Sequence, residues 1–286
     1  KILTLFMDSK PLSGNLMSQN RRDLCPNCLN SLVSERVMDQ FLIFQLFGPM
    51  ASWGECAPGG VRQTLGIPTK SALLGILEGA VGITRDREKM HGAFAANYEF
   101  VICGSENPVW AQDFHTVQVP KENKKILYLT RKEELSNPEQ LETILSTRDY
   151  LSDSWWLVAV KAKPQAPYSL EELKEYMERP TFTPYLGRKS NPSGLPFCPQ
   201  IMSGDLKGVL GSCSKKFKEK LNSVGLNLPE LQTDGYWEGE CQDLKPKFII
   251  RRRDVPLSRT KWLFEERTIN YGEVLNREDS QCTTPE

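Results

Sequence analysis

The amino-acid sequence predicts an α+β domain of the ferredoxin-like kind, with a β-hairpin inserted into it. The first observation is the run Phe41–Phe47, whose apolar residues fall on both alternating faces, as in a central strand. The second is a helical pattern that follows this strand, from Pro68 to about Val81. The third is the order of the remaining elements up to residue 180, which is strand, hairpin, strand and helix.

The composition is that of an ordinary soluble globular protein. The 286 residues are 39% hydrophobic and 25% charged, with a formal net charge of zero. No overall field would attract a polyanion, so any nucleic-acid contact must come from local clusters of charge. No apolar run approaches the roughly 18–20 residues that span a bilayer, and residues 1–16 are too polar for a secretory signal. The eight cysteines are mostly scattered, which favours the reducing cytoplasm.

The first predicted helix has clear local signals at both ends. It begins at Pro68 with a threonine next to it, carries an apolar stripe to Val81, and ends at Gly82. Gly75 and Gly79 lie four residues apart within it, and each costs about 1 kcal/mol relative to alanine. We therefore expect close packing of this helix against the sheet as the compensation.

A second strand and a protruding hairpin follow this helix. Tyr98–Cys103 alternates between apolar and polar residues and predicts a strand. The segments His115–Val119 and Ile126–Thr130 flank a polar tip, a pattern that predicts a hairpin over about residues 113–135 with a basic end. The lysines at this end are Lys121, Lys124 and Lys125.

The remaining elements complete the domain. Asn137–Gln140 has the cap and proline of a helix start, and Trp155–Val160 reads as another buried strand. Ser169 opens a capping box for a helix that runs to about Glu178. Residues 181–286 are rich in loops, with a few strands that include Lys247–Arg251. The predicted organisation is therefore residues 1–38, 41–180 and 181–286.

The loop between the first strand and the first helix is a candidate anion site. Backbone N–H groups and the helix dipole point outward from the start of a helix, where Thr69, Lys70 and Ser71 add polar groups. Trp53 in the loop offers a stacking face, and Arg62 adds a positive charge. The alternative is a capped helix with a structural tryptophan beneath it.

Three separated strings, in order along the chain, carry a resemblance to a known family. They are Gly48–Gly54 with Arg62 and Ile67–Gly75, then Phe114–Val117 with Arg148–Leu151, and finally Thr183–Ser190. They resemble the Cas-five family, in the branch that belongs to type I-E Cascade. The resemblance covers residues 41–201 well and the rest of the chain loosely.

The resemblance implies a repeat-associated (RAMP), RRM-like domain with a hairpin thumb. It implies a subunit that grips the 5′ handle of CRISPR RNA and seats it against the backbone and large subunits of the complex, which reaches target DNA through the guide. It does not imply a membrane partner. The residues that we expect to contact RNA are Trp53, Arg62, Thr69, Lys70, Ser71, His115, Lys121, Lys124, Lys125, Arg148, Arg188 and Lys189.

Several of these residues have plainer interpretations. Arg188 and Lys189 could be solvated charges in a tight turn, and lysines at a hairpin tip often only protect a strand edge. One branch of the wider family processes RNA with a histidine, so a stand-alone endoribonuclease that uses His115 is an alternative. The strand context of His115 favours a structural histidine or an RNA contact over a catalytic base.

Residues 1–38 resemble the back half of a zinc-bearing HNH nuclease. The match consists of a strand, Asp8 where such modules carry a catalytic histidine, a Pro-Leu-Ser loop, Asn20, and Cys25 with Cys28 as two zinc ligands. An intact module would use Mg²⁺ or another divalent ion to cut DNA. Because the chain begins at Lys1 instead of methionine, we expect that residues are missing upstream. The alternatives are an inactive remnant, a zinc-ribbon interaction module, or a redox or chance cysteine pair.

Overall fold

The computed structural model describes residues 39–54, 60–123, 126–241 and 243–276. The strands are β1 (Gln40–Ala51), β2 (Trp53–Gly54), β3 (Val61–Arg62), β4 (Thr64–Leu65), β5 (Tyr98–Gly104), β6 (Val109–Pro120), β7 (Leu141–Ala162), β8 (Gln200–Ser203), β9 (Asp234–Trp237), β10 (Phe248–Ser258) and β11 (Leu263–Glu273). The helices are α1 (Lys70–Val81), α2 (Glu88–Asn97), α3 (Arg131–Glu134), α4 (Leu170–Glu178) and α5 (Leu206–Asn222).

A mainly antiparallel sheet runs through the described part in the order β10-β11-β9-β5-β7-β1-β8. The predicted strand Phe41–Phe47 is confirmed as part of β1, between β7 and β8. Its alternating side chains enter two separate cores, with Phe44 on the side of α1 and α4 and Ile43 on the side of α5. Burial on both faces explains why this strand is apolar at nearly every position.

Helix α1 has the ends that the sequence predicts. The Thr69 hydroxyl accepts a hydrogen bond from the backbone N–H of Ala72, and Gly82 closes the helix at φ 93°. The prediction that its glycines pack closely against the sheet is wrong. A Cβ added at Gly79 would meet nothing within 4 Å, and one at Gly75 would meet only the Arg259 guanidinium at 3.8 Å.

The strands and the second long helix of the predicted domain are also confirmed. Tyr98–Cys103 lies in β5 and Trp155–Val160 lies in β7, where the two strands pair. Ser169 caps α4 with both hydrogen bonds of a capping box, in which Glu172 is the second residue. The helix ends at Glu178, as expected from the sequence.

The hairpin exists, but its second strand is not the predicted one. Strand β6 pairs with the first half of β7, from Val109 opposite Ser152 to Pro120 opposite Leu141. Residues 126–129 have no regular structure, so the predicted strand Ile126–Thr130 is wrong. The predicted helix start at Asn137 is a single 3-10 turn that leads directly into β7. The hairpin is therefore longer than residues 113–135.

The region after residue 180 extends the same sheet. Strands β9, β11 and β10 continue it beyond β5, and β8 lies at its other edge next to β1. The prediction of a loop-rich region missed α5, a helix of 17 residues that covers the second core. Asp205 caps this helix, and its side chain accepts a hydrogen bond from the backbone N–H of Gly208.

Two sets of predicted residues lie outside the described part of the chain. One is the HNH-like segment with Asp8, Asn20, Cys25 and Cys28, and the other is the pair Lys124 and Lys125. Within residues 39–276, apart from the gaps given above, no helix is both long and apolar enough to cross a membrane.

Candidate nucleic-acid interface

The predicted anion site at the start of α1 is occupied by the protein itself. The Asp254 carboxylate accepts a hydrogen bond from the backbone N–H of Lys70 at 2.8 Å. It also accepts two hydrogen bonds from the Arg267 guanidinium, at 2.6 and 2.9 Å. Burial acts to raise the pKa of this carboxyl, but Arg267 and the N–H group outweigh it and lower the pKa below its ordinary value. The helix dipole is thus satisfied internally.

The polar side chains of the same helix start also face inward. Lys70 is 5% exposed, and its ammonium group forms an ion pair with Glu238 at 2.5 Å. The Ser71 hydroxyl accepts a hydrogen bond from the Arg259 guanidinium at 3.1 Å. Thr69, Lys70 and Ser71, which are expected to contact RNA, each have a partner within the chain in this structure.

Trp53 is a core residue and does not offer a stacking face. It is fully buried, and its ring packs edge-on against Trp156 with the ring centroids 5.1 Å apart. The structure thus supports the plainer interpretation, in which a tryptophan supports the loop ahead of α1. A base cannot reach this ring without opening the core.

Three arginines from separate strings meet beside the base of the hairpin. Arg62 in the short strand β3 lies next to Arg148, because β3 pairs in parallel with β7 at that position. The Arg188 guanidinium donates a hydrogen bond to the backbone carbonyl of Arg62 at 3.3 Å. Arg62 is exposed, and Arg148 and Arg188 are half-buried. We call Arg62, Arg148 and Arg188 the arginine cluster.

Packing of the loop that follows residue 181 places Arg188 in this cluster. Gly187 has φ 84°, and a Cβ at this position would lie 1.8 Å from the Ser52 carbonyl oxygen. The backbone N–H of Ser52 donates a hydrogen bond to the Leu186 carbonyl at 3.1 Å, which holds the two segments together. The Arg188 guanidinium lies over the Tyr150 ring, 4.7 Å from its centroid.

The predicted histidine, His115, lies on the face of the hairpin that carries Arg148. Asp113 lies opposite Arg148, and alternate residues of a strand share a face, so His115 is on the same side as Arg148. The His115 ring lies 3.4 Å from the Asp113 carboxylate, and both side chains are nearly half exposed. Lys189, next to Arg188, is also exposed.

Lys121 is exposed just beyond the end of β6, and its backbone N–H donates a hydrogen bond to the Gln140 carbonyl. It lies away from the arginine cluster, because β6 extends twelve residues from the hairpin base at Val109 to the tip. The structure therefore brings together one set of predicted cations and separates the tip lysine from them.

The opposite face of the hairpin carries apolar residues that the sequence prediction missed. Trp110 and Phe114 on β6 are 55% and 65% exposed, and Leu145 on β7 is 54% exposed. Their positions two or four residues apart, and the pairing across the strands, place them on one side. In the sequence Trp110 and Phe114 are four residues apart with the polar Gln112 between them, so no apolar alternation marks this face. Exposed patches of this type are usual at contacts with other macromolecules.

Residues 41–269 match the family model described as CRISPR-associated protein (Cas_Cas5). The chain belongs to this Cas-five family. The match begins at the first residue of the buried strand and ends in β11, so it includes the arginine cluster and the hairpin. Residues 1–38 lie outside it.

Relatives of this Cas-five protein give the same picture. The CRISPR system Cascade subunit CasD of Escherichia coli (strain K12) is 33% identical over 228 residues, which cover 77% of this chain and 90% of that protein. A solved structure described as a CRISPR RNA-guided surveillance complex contains a chain with a TM-score of 0.52 and 22% identity. That similarity covers 84% of this chain and 95% of the other, and it supports the fold alone.

The chemistry of the arginine cluster suits recognition of phosphates. Guanidinium groups are always charged and form two-pronged hydrogen bonds with phosphate oxygens. Among the described residues, no group of three or more His, Cys, Asp or Glu side chains has the arrangement of a metal site. The arginine cluster is a cationic surface with an aromatic support at Tyr150.

Proposed function

We propose that this protein binds the 5′ handle of a CRISPR RNA and seats it within a Cascade-type surveillance complex. The observation that carries the proposal is the meeting of Arg62, Arg148 and Arg188 on one surface. These residues come from three strings that are separate in the sequence, and the net charge of the chain is zero. A local concentration of guanidinium groups is then the feature that can attract an RNA backbone.

The arginine cluster suits a short stretch of single-stranded RNA. The arginine cluster lies at the base of a two-stranded hairpin, and Arg188 is already ordered over Tyr150 before any ligand binds. This ordering reduces the side-chain entropy that is lost when the guanidinium contacts a phosphate. Three close contacts of this kind suit a bent strand of a few nucleotides.

Assembly with other subunits is the second part of the proposal. The relative from Escherichia coli is named a Cascade subunit, and the exposed apolar face of Trp110, Phe114 and Leu145 suits a protein neighbour. We infer that the fold is a ferredoxin-like RAMP domain whose hairpin acts as a thumb against the backbone and large subunits. In this arrangement target DNA is read by the guide RNA and not by this chain.

Binding of a labelled handle RNA to the purified protein tests the proposal. Replacing Arg62, Arg148 and Arg188 with alanine should weaken binding by at least about 100-fold, since each charged contact contributes about 1.5–3 kcal/mol. A charge-matched control removes three cations that lie on α4, directly after it and on α5, outside the arginine cluster: Lys174, Arg179 and Lys220. Equal weakening by both triple variants would show that only net charge matters and would contradict the proposal.

A DNA-cutting role for residues 1–38 is a separate proposal that rests on the sequence. Cys25 and Cys28 provide two of the four ligands of a structural zinc site, and Asp8 and Asn20 stand at the positions of an HNH centre. Elemental analysis of the purified chain should find about one zinc ion per molecule. A chain without zinc, in which both cysteines react freely with an alkylating reagent, would contradict it.

The alternative of a stand-alone endoribonuclease depends on His115. Its contact with Asp113 could orient a general base, so the assay is RNA cleavage by the isolated chain without metal ions. We expect no cleavage. Cleavage that disappears in His115→Ala would support the alternative and would contradict a purely binding role.

A further inference from the structure

A row of side chains crosses the sheet from the core to an exposed edge. It starts at Phe44 in β1 and passes through Val158 in β7 and Ile102 in β5, all buried on the side of α1. From Ile102 the pairing continues to Tyr236 in β9. This inner part of the row is covered by the core.

The outer part of the row is aromatic and emerges from the core. Tyr236 lies opposite Tyr271 in β11, and Tyr271 lies opposite Phe248 in β10. The ring centroids are 4.9 Å apart in the first pair and 4.7 Å apart in the second. We call Tyr236, Tyr271 and Phe248 the aromatic row.

The last ring of the aromatic row ends the sheet. Phe248 is 54% exposed and stacks on Tyr271 with an angle of 19° between the ring planes. Strand β10 is the first strand in the sheet order, and among the described strands it pairs only with β11. The outward side of the Phe248 ring therefore faces the open edge, where one more flat ring would continue the stack.

Positive charge lies immediately along the same strand. Arg251, Arg252 and Arg253 follow Phe248 within five residues. The Arg252 guanidinium lies 5.1 Å from the centre of the Tyr236 ring, on the same face as the aromatic row. The Arg251 side chain is 81% exposed, and its contact with Glu266 is a loose 3.8 Å. Such an exposed pair contributes little and yields readily to a phosphate.

We propose that the aromatic row and these arginines form a second contact for single-stranded nucleic acid, separate from the arginine cluster. An unpaired base stacks on the outer face of Phe248, and the nucleic acid follows the open edge of β10. Arg252 lies on the face of Phe248, and the exposed Arg251 side chain contacts a neighbouring phosphate at the edge from the other face. Bases of every kind have a flat face, so this contact tolerates any sequence. An exposed aromatic ring next to three consecutive arginines favours this occupant over a protein strand, which would need a partner of opposite charge to cover them.

Helix coverage explains why this part of the sheet is open to a ligand. Helices α1 and α2 contact β10 toward its other end, where Asp254 meets the start of α1 and Ser258 donates a hydrogen bond to Glu88. Phe248 lies six residues before Asp254, which is about 20 Å along a strand. The aromatic row therefore extends past the helical layer.

Photocrosslinking of the full chain tests the second contact. Single strands of twelve nucleotides are prepared as RNA with 4-thiouridine and as DNA with 4-thiothymidine, and the crosslinked peptides are identified by mass spectrometry. We expect crosslinks at Phe248 or its direct neighbours, with RNA, DNA or both. Whether the RNA or the DNA oligonucleotide crosslinks identifies which nucleic acid binds this surface, and a crosslink with either supports the proposal.

Variants at Phe248 measure how much the stacked base contributes to the affinity for the nucleic acid. Phe248→Ala should weaken binding of the crosslinking strand by about 5- to 150-fold, the effect of losing one base–aromatic stack. Phe248→Trp should retain it. The matched control is Trp262→Ala, which removes another exposed aromatic ring at the opposite end of the same two strands. Thermal unfolding of each variant shows that the fold is intact.

Two results would overturn the proposal. One is the lack of crosslinks near Phe248 with both nucleic acids, together with unchanged affinity of Phe248→Ala. The other is protection of Phe248 from hydroxyl radicals in an assembled complex by a protein subunit before any nucleic acid is added. In that case the edge of the sheet is a protein interface.

Discussion

Gly187→Ala should damage the arginine cluster without changing any charge. Gly187 has φ 84°, a conformation that costs about 1–2 kcal/mol for a residue with a Cβ. The added Cβ would lie 1.8 Å from the Ser52 carbonyl oxygen, whereas real Cβ atoms essentially never approach within 3.0 Å. The loop must therefore move by more than 1 Å, and relief of such overlap costs about 1–3 kcal/mol. The expected loss is about 2–5 kcal/mol of unfolding free energy.

The same displacement should weaken RNA binding. Residues 186–188 would separate from Ser52, so the hydrogen bond between Ser52 and the Leu186 carbonyl is lost. Arg188 would then leave its place over Tyr150, and handle affinity should fall at least about tenfold, as expected for one charged hydrogen bond.

Urea unfolding and fluorescence anisotropy with labelled handle RNA measure these two effects. The matched control is Gly79→Ala, where the added methyl meets nothing within 4 Å and should stabilise α1 by up to about 1 kcal/mol. Gly187→Ala with wild-type stability would refute the packing argument. If Gly187→Ala is less stable but binds handle RNA with wild-type affinity, Arg188 does not contact the RNA.

Two further predictions concern stability. Asp254→Asn should cost about 1–3 kcal/mol, because it removes one of the two carboxylates, Asp254 and Glu238, that pair with the buried Arg267. The pKa of the Asp254 carboxyl lies below its ordinary value of 3.8, so its contribution to stability is complete above pH 3.8 and is lost as the pH falls through the lowered pKa. In urea unfolding at a series of pH values, wild type should therefore lose stability at low pH more steeply than Asp254→Asn. Equal pH profiles of the two proteins would contradict this. Leu157→Ala in the core should lower the free energy of unfolding by about 2–5 kcal/mol. Leu145→Ala on the exposed hairpin face should change it by less than about 0.5 kcal/mol. Equal losses in the two variants would show that the hairpin face is not open to solvent.

Elements with local signals could be predicted from the sequence. Helix α1 starts at a threonine cap and ends at Gly82, and the capping box at Ser169 defines the start of α4. The strand Phe41–Phe47 is apolar on both faces because both faces are covered. In each case the residues that determine the element lie within it or next to it, so no knowledge of distant partners is needed.

The errors came from partners that are distant in sequence. Lys70 appeared to be a free cation at a helix start, but its ion-pair partner Glu238 lies 168 residues later. Asp254, which fills the predicted anion site, lies 184 residues from Lys70. Nothing in the local sequence around Trp53 shows that Trp156 packs against it. Burial of this kind depends on the tertiary fold.

Among the elements that the sequence analysis missed, the return strand of the hairpin and helix α5 were missed for different reasons. The segment Ile126–Thr130 has more apolar and β-branched character than the true return strand, which begins at Leu141 and is largely polar because the hairpin projects into solvent. Helix α5 contains Gly208 and Gly211, which lower its helical propensity. Its apolar residues at spacings of three and four, with Asp205 as the cap, would have identified it.

The arginine cluster could be predicted in part. Arg62, Arg148 and Arg188 were all expected to contact RNA, and the structure brings them together through the β3–β7 pairing and the loop at Gly187. The support of Arg188 by Tyr150 was not expected, although Tyr150 lies two residues from Arg148. The sequence indicated which cations to consider, and only the fold could separate them from the buried Lys70.

The salt dependence of handle-RNA binding tests the central claim most directly. For a single strand, the slope of log affinity against log salt concentration changes by about 0.7 for each phosphate contact. Removal of Arg62, Arg148 and Arg188 together should therefore make the slope shallower by about 2, whereas the control without Lys174, Arg179 and Lys220 should keep the wild-type slope. A triple arginine variant with the wild-type slope would contradict the account, because the arginine cluster would then not contact the RNA backbone.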